Sequence, residues 1–396
     1  MSKHHIRFFL NRDGRLYIED MSPLEMAILN KLGIHFHDPS IEETMDSGEP
    51  QYVLLKKIRL PSHLPENTED LFKLHNHVLE NREDYLKRSL NSGTSLFHLK
   101  KRILQARLKD CNLCGFLCGG QRARKGLCPI SRKSLYHQDF IHLAEEKEIG
   151  KTLAIELLGC NIRCRFCQKG NLITQASGKP FNRTVWKDIR REYQDYSFNN
   201  ISFLGGNPDQ SILGVIDFLS HSPGWAASLP IVWHTNAYST PDSYNLLNGL
   251  VDLWVVDFKY FNNDCALSLS SVPNYVDTAK RALSTICTLS KDTPVIVRHL
   301  ILPGHWSCCQ KPLVEWLSER RNDLIFHPLR QYRPLWKVTE KDGELYRPIT
   351  KEEFWQVKNH AHQAGLALTE SPYWEDLESG RNTCPTSFSD KVAEVQ

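Results

Sequence analysis

The stretch Cys160-Asn-Ile-Arg-Cys164-Arg-Phe-Cys167 sets three thiols on one short loop, directly after the apolar run Thr152–Leu157. A C-x3-C-x2-C loop of this kind can hold three irons of a [4Fe–4S] cube and leave the fourth open to a small molecule. A structural zinc site wants four ligands closed into a tetrahedron, and no fourth Cys or His follows Cys167 locally. The loop is therefore an expected iron–sulfur cradle with an open coordination position, which implies chemistry and assigns the catalytic metal ligands to Cys160, Cys164 and Cys167.

The rest of the composition bounds where such a loop can sit. At 396 residues the chain can bury one large core and a smaller appendage, with 41% hydrophobic and 24% charged residues. No apolar run approaches the roughly 20 residues of a membrane helix, and the start Met-Ser-Lys-His-His-Ile-Arg lacks a signal-peptide core. The expectation is a cytoplasmic protein without a membrane span, whose cysteines are ligands or free thiols. The formal charge of +3 is too small a bias to imply nucleic acid by itself.

Residues 1–95 are expected to form a small α/β domain with no assigned role. Ile6–Leu10 and Leu16–Ile18 flank Asn11-Arg-Asp-Gly14 as a hairpin, and a helix capped by Ser22 runs to Gly33. Tyr52–Leu60 has the pattern of a strand, and 68–90 and 96–108 that of helices.

Residues 96–150 hold a second cysteine array. Cys111, Cys114, Cys118 and Cys128 lie among glycines 115, 119, 120 and 126, a polar setting that suits either a zinc knuckle or a second cluster. Around it run Lys100, Lys101, Arg102, Arg107, Lys109, Arg122, Arg124, Lys125, Arg132 and Lys133. Such a basic band can contact RNA, hold an acidic protein partner or simply be a solvated face, and few aromatics interleave it for base stacking.

From Lys151 to about 340, short apolar runs alternate with amphipathic stretches, a parallel β/α rhythm. Strands are expected at 152–157, 201–204, 231–235, 253–256, 295–301 and 324–326, with helices at 184–196, 209–219, 242–247, 275–289 and 312–320. Residues 341–396 supply a last helix, 351–364, and a tail. Six repeats do not fill an eight-stranded barrel, so the expected fold is an α/β partial (β/α)6 barrel with its site at the C-terminal strand ends.

The candidate ligand-binding residues all fall at those ends. Gly205 and Gly206, followed by Asn207-Pro208, let a backbone approach a ligand without Cβ interference, although the same four residues make a good turn on their own. Asp257 and Lys259 share one face of a strand end, where they can orient a ligand or pair with each other. Arg298 is the lone charge in the apolar run Val295–Leu302 and needs an anion, either a ligand carboxylate or Asp257. His299 faces the other way, as a packed imidazole would.

On these residues the chain resembles the radical S-adenosylmethionine (SAM) superfamily, including Phe166 before the last cysteine. Asp252–Tyr260, Val297–Gly304 and Gln331-Tyr-Arg-Pro334 are similar to the subfamily of pyruvate formate-lyase activating enzymes, including relatives with a four-Cys segment ahead of the core. The likeness covers roughly residues 108–366. It implies a [4Fe–4S] cluster and SAM, whose reductive cleavage to a 5′-deoxyadenosyl radical leads to hydrogen abstraction from a protein or peptide, with glycyl radical activation as the inherited role. It also implies an electron donor such as flavodoxin or ferredoxin, and it assigns Gly205, Gly206, Asn207, Asp257, Lys259 and Arg298 to the SAM site. Two departures stand out: Gly-Gly-Asn-Pro replaces the usual Gly-Gly-Glu-Pro, and His327-Pro-Leu-Arg-Gln-Tyr332 lacks the Pro-Tyr-His setting. RNA or small-molecule modification and a non-catalytic metalloprotein are the competing readings.

Overall fold

The computed structural model describes residues 5–10, 16–21, 49–88, 93–124, 128, 134–146, 148–174, 178–194, 196–289 and 293–369. The N-terminal hairpin forms from β1 (His5–Leu10) and β2 (Leu16–Met21), antiparallel with Phe8 opposite Ile18. The helix expected from Ser22 to Gly33 lies outside the described residues.

All other strands among the described residues join one sheet: β3 (Leu135–His142), β4 (Thr152–Leu157), β5 (Lys179–Pro180), β6 (Asn200–Gly205), β7 (Ile231–Thr235), β8 (Leu253–Asp257), β9 (Val295–Leu300), β10 (Ile325–Leu329) and β11 (Ala367–Leu368). Their order is β11-β10-β9-β8-β7-β6-β4-β3-β5. The strands from β4 through β10 in this order are mutually parallel, which carries the six expected β/α repeats. Their near-continuous Val, Ile and Leu runs are buried on both faces, as parallel strands require.

The sheet is wider than the sequence implies. A seventh parallel strand, β11, pairs with β10, and β3 adds antiparallel to β4. Leu135–His142 is hard to see in the sequence because its burial does not alternate, and five of its eight positions, Phe140 among them, are half-buried.

The segment before the sheet also differs. Tyr52–Leu60, with its β-branched and aromatic residues, is not a strand: Gln51–Lys57 is a helix started by Pro50. Tertiary contacts decide it. Gln51 N–H donates to Asp252 Oδ1 at 3.0 Å, its side-chain amide donates to Thr293 Oγ1 at 2.9 Å, and the Tyr52 hydroxyl donates to the Ala226 carbonyl. The expected helix 68–90 breaks at Asn81 into Thr68–Glu80 and Arg82–Lys87, and Leu96–Arg107 follows. These helices pack onto the sheet domain through the core that includes Leu71, Leu99 and Ile103.

Several members of the basic band are consumed by that packing. Lys100 is fully buried and donates to the Leu246 and Asn248 carbonyls at 3.0 and 2.8 Å. Lys101 pairs with Asp217, and Arg107 with Asp242. Arg122 lies over the Phe116 ring. These four bind the chain to itself rather than offering a nucleic-acid face.

Candidate active site

β4 ends at Leu157 and the chain turns through Gly159, at φ 90°, into the Cys160–Cys167 loop. Cys160 and Cys164 are buried and Cys167 is partly so. Each sulfur has its own donor. The Ile162 N–H and, at 3.6 Å, the Asn236 amide face Cys160; the Ser270 hydroxyl lies 3.0 Å from Cys164; the Lys169 N–H faces Cys167. Hydrogen bonds to the sulfurs are what an iron–sulfur cradle needs to carry thiolate charge in a buried place. Without a metal ion the Cys160 and Cys167 thiols hold their protons. Burial, helped by the neighbouring Cys164 sulfur, pushes Cys160 up to about 12 and Cys167 up to about 11, while Lys259 pulls both down. The donor set therefore fits an Fe–S cluster.

The loop is fixed by its neighbours. Arg163 and Arg165 N–H groups donate to the Ser270 and Leu269 carbonyls, and the Asn161 amide donates to the Tyr238 carbonyl at 2.9 Å. Gly205 and Gly206 brace the other side. The space their Cβ atoms would take belongs to this loop: a Cβ on Gly206 would stand 2.0 Å from the Gly159 carbonyl oxygen, and one on Gly205 2.3 Å from that of Leu157. The two glycines are thus required by the close approach of β6 to the cysteine loop, a packing reason beside the ligand approach expected from sequence.

Asn207 is buried and its side chain is occupied. Its carbonyl oxygen accepts the Asn236 N–H at 3.1 Å and its amide donates to Gln210, so it ties the end of β7 to the glycine turn. Behind it Asp209 is buried, accepting from Trp233, Thr235 and Ser239. Burial raises its carboxyl and those hydrogen bonds pull it back.

The strand ends open into a cleft of about 860 Å³ that contains Cys160, Gly205, Asn236, Asp257, Lys259 and Arg298 among its walls. Lys259 Nζ lies 2.9 Å from Asp257 Oδ2. Burial alone would lower the Lys259 ammonium, but Asp257 and the Cys164 sulfur outweigh it and raise it, so the side chain stays a cation beside the cysteines.

Arg298 is held by more anions than the sequence implied. Glu145 pairs with Nη2, Glu146 Oε1 lies 3.3 Å from Nε, and Asp257 Oδ1 lies 3.6 Å from it. His234 Nδ1 faces Nη1 at 3.3 Å. Glu146 also meets His327 Nδ1 at 2.7 Å, and burial with the nearby Glu148 raises its carboxyl. On the opposite wall buried Glu156 pairs with Lys169 at 2.9 Å and accepts from Gln138. Burial holds His142 and His234 neutral, each pushed down to about 4.

Glu145, Glu146, Glu156 and His142 have no motif around them, so sequence reasoning passed over them as functional. The available signal was charge in otherwise apolar surroundings, as in Leu153–Leu158 around Glu156. At the end of β10, Tyr332 is buried against Phe166 with its hydroxyl on the Leu345 carbonyl, so Gln331 and Arg333 face the cleft in its place.

Upstream, Cys114 has Cys111, Cys118 and Cys128 as neighbours. The Leu113 N–H faces Cys111 and the Phe116 N–H faces Cys114, the same i+2 turn that serves Cys160 and Cys167. Cys114 feels Cys128, Cys111 and Cys118, and burial pushes its thiol up to about 12. The segment Tyr238–Thr240 lies between the two arrays. Tyr238 accepts from Asn161 and Gly115, and the Thr240 N–H donates to the Leu113 carbonyl.

A parallel sheet whose first crossover begins with a buried, hydrogen-bonded cysteine loop defines an iron–sulfur domain, and the sequence matches the 4Fe-4S single cluster domain over residues 149–266. The chain belongs to the family of the uncharacterized protein MJ0674 of Methanocaldococcus jannaschii, to which it is 31% identical over 335 residues, 82% of this chain and 96% of that protein. Among solved structures, Streptococcus suis SuiB aligns over 97% of this chain and 70% of its own, at 12% identity and TM-score 0.38. HydG, a maturase of the [FeFe]-hydrogenase, aligns over 80% and 64%, at 9% identity and TM-score 0.38. Likenesses this distant say nothing about activity. Among the described residues no helix is long and apolar enough to cross a membrane.

Proposed function

We propose that this chain is a radical SAM enzyme acting on a protein or peptide. The observation that carries the reading is the separate hydrogen-bond donor at each of Cys160, Cys164 and Cys167, on a loop that forms the floor of a cleft at the parallel strand ends. A [4Fe–4S] cluster with SAM on its open iron supplies, when bound, a 5′-deoxyadenosyl radical.

The chain's own residues do the rest. Lys259 keeps positive charge beside the thiolates and Asp257 holds it there. Arg298, braced by Glu145 and Glu146, presents a guanidinium suited to a SAM carboxylate, and Gly205 and Gly206 keep the loop seated while their carbonyls remain for the amino group. Neutral His142 and His234 add no charge to the walls. A cleft of about 860 Å³ stands near the top of the roughly 300–1,000 Å³ usual for small-molecule sites, which leaves room at the mouth for a substrate group above a nucleoside.

A protein or peptide substrate, a glycyl radical enzyme as the first partner to test, and a flavodoxin or ferredoxin donor rest on the resemblance to activating enzymes. Cys111, Cys114, Cys118 and Cys128 hold the second metal centre in this reading. Within the basic band Lys100, Lys101 and Arg107 are engaged internally, which supports a protein or peptide substrate ahead of RNA.

The test is anaerobic reconstitution with iron and sulfide, reduction, and addition of SAM. 5′-Deoxyadenosine should form, and should vanish in Cys160→Ala, Cys164→Ala and Cys167→Ala. An intact cluster that releases none makes the protein a carrier instead.

A further inference from the structure

Among the described residues, one group of three Cys, His, Asp or Glu has its ligand atoms all within 4.8 Å of one another: Cys265, His305 and Cys308. It lies outside both cysteine arrays. Cys265 is in the first turn of the Asn263–Ser270 helix that follows β8, and His305 and Cys308 come from the loop that follows β9.

Three features shape this group as a site for one ion. The Cys265 and Cys308 sulfurs are 3.8 Å apart; two thiolates at about 2.3 Å from a tetrahedral zinc stand about 3.8 Å from each other. His305 Nδ1 faces the Pro303 carbonyl at 2.8 Å, which fixes the proton on Nδ1 and leaves the Nε2 lone pair for a ligand, the usual arrangement of a metal-binding histidine. Cys308 sits in a π-turn, Trp306–Gln310, where the His305 carbonyl accepts from both Cys309 and Gln310. Such widened turns are rare and concentrate at functional sites. Backbone and side-chain bonds hold both loops in place: Asn262 caps the Cys265 helix, and the Gln310 amide donates to the Leu302 carbonyl at 2.7 Å. Cys309 is buried beside both thiols.

We propose that Cys265, His305 and Cys308, all partly exposed, bind a single zinc-type ion with its fourth position open to water, a third metal centre distinct from the two cysteine arrays. Its place in the fold gives it a structural task. The helix that begins beside Cys265 ends at Ser270, whose hydroxyl and carbonyl hold Cys164 and Arg163. An ion joining the β8 and β9 loops at one end of this helix fixes the part of the cysteine loop gripped at the other.

The inference stands apart from the radical SAM reading and is tested without it. Full-length protein purified anaerobically with its iron in place is equilibrated with zinc, washed, and compared with Cys265→Ser/Cys308→Ser. The double variant should retain one zinc less, with iron unchanged; equal zinc in both overturns the site. A second measurement needs no substitution. Thiols of the unaltered protein are alkylated and mapped by mass spectrometry with zinc and after chelation. Cys265 and Cys308 should be protected by zinc and labelled once it is removed. Labelling indifferent to zinc overturns the proposal, as does recovery of a Cys265–Cys308 disulfide from the anaerobic protein.

Discussion

Ser270 and Cys164, 106 positions apart in the chain, meet through an O–H to sulfur contact of 3.0 Å. Ser270 is buried, its hydroxyl also lies 2.5 Å from the Tyr260 hydroxyl, and its carbonyl accepts the Arg163 N–H. One residue at a helix end therefore anchors the cysteine loop by main chain and side chain together. Ser270→Ala keeps the main-chain contact and removes the donor. A donor to a ligating thiolate favours the more negative, reduced state, so its loss should lower the cluster potential. A differential of about 1 kcal/mol corresponds to roughly 40 mV for one electron. Anaerobic redox titration measures it, and an unchanged potential with full iron content shows that the contact does not tune the site.

Gly206 offers a sharper structural test. An alanine there drives its Cβ against the Gly159 carbonyl, which is backbone and has no rotamer to yield. Overpacking of this kind costs about 1–3 kcal/mol, and here the displaced atoms belong to the cysteine loop. Gly206→Ala should lower thermal stability and iron content together. Gly224→Ala, where no atom lies within 4 Å of the added Cβ, should change neither.

What sequence conveyed about this protein follows the range over which each signal acts. The cysteine loop is legible because its three cysteines fall within eight consecutive residues, Cys160 to Cys167, so the pattern is local. The parallel strands were legible because burial on both faces leaves an unbroken apolar run, as in Leu253–Val256. Tyr52–Leu60 reads as a strand from its apolar run, which is overridden by bonds from Gln51 and Tyr52 to Asp252 and Ala226, some 200 and 174 positions away. Lys100 looked like a surface cation because nothing local announces the carbonyls of Leu246 and Asn248. Two of the anions around Arg298, Glu145 and Glu146, arrive from the segment after β3, a strand the sequence did not disclose. Cys265 and Cys308 are 43 residues apart, joined only by the adjacency of two strand-end loops.

Each buried histidine contributes a pH dependence of known sign. His299 lies in β9, fully enclosed, with Nδ1 against the Phe258 carbonyl at 2.7 Å, and burial pushes it down to about 4. An unfolded histidine titrates near 6.5. Between about 6.5 and 4 the unfolded chain binds a proton that the native chain refuses, so stability falls as pH drops through that window and is level above it. A shift of this size corresponds to about 3 kcal/mol at the acid end, and His142 and His234 act in the same direction. Urea unfolding at pH 7 and pH 5 should show a large loss in the parent chain and a smaller one in His299→Asn. Equal losses would mean that His299 is not among the groups that titrate.

Arg298 and Glu145 make a pair that a ligand has to open. Glu145 holds Nη2 from the cleft side with its carboxylate partly exposed, whereas Glu146 is buried behind the guanidinium and shared with His327. If Arg298 receives the SAM carboxylate, that carboxylate competes with Glu145 and not with Glu146. Glu145→Gln should therefore tighten SAM binding, because the incoming anion no longer displaces one already in place. Arg298→Lys keeps the charge and loses the fork, and charge-assisted hydrogen bonds of about 1.5–3 kcal/mol predict a tenfold to hundredfold weakening. Equilibrium dialysis of labelled SAM against the reconstituted protein, under anaerobic conditions, reads both variants while the cluster spectrum checks that the cysteine loop is intact. Opposite shifts place the SAM carboxylate on Arg298. Weaker binding in both variants makes Glu145 a brace for Arg298 instead of its competitor, and unchanged binding in Arg298→Lys removes Arg298 from the SAM site and leaves it as the counter-ion of Glu145, Glu146 and Asp257.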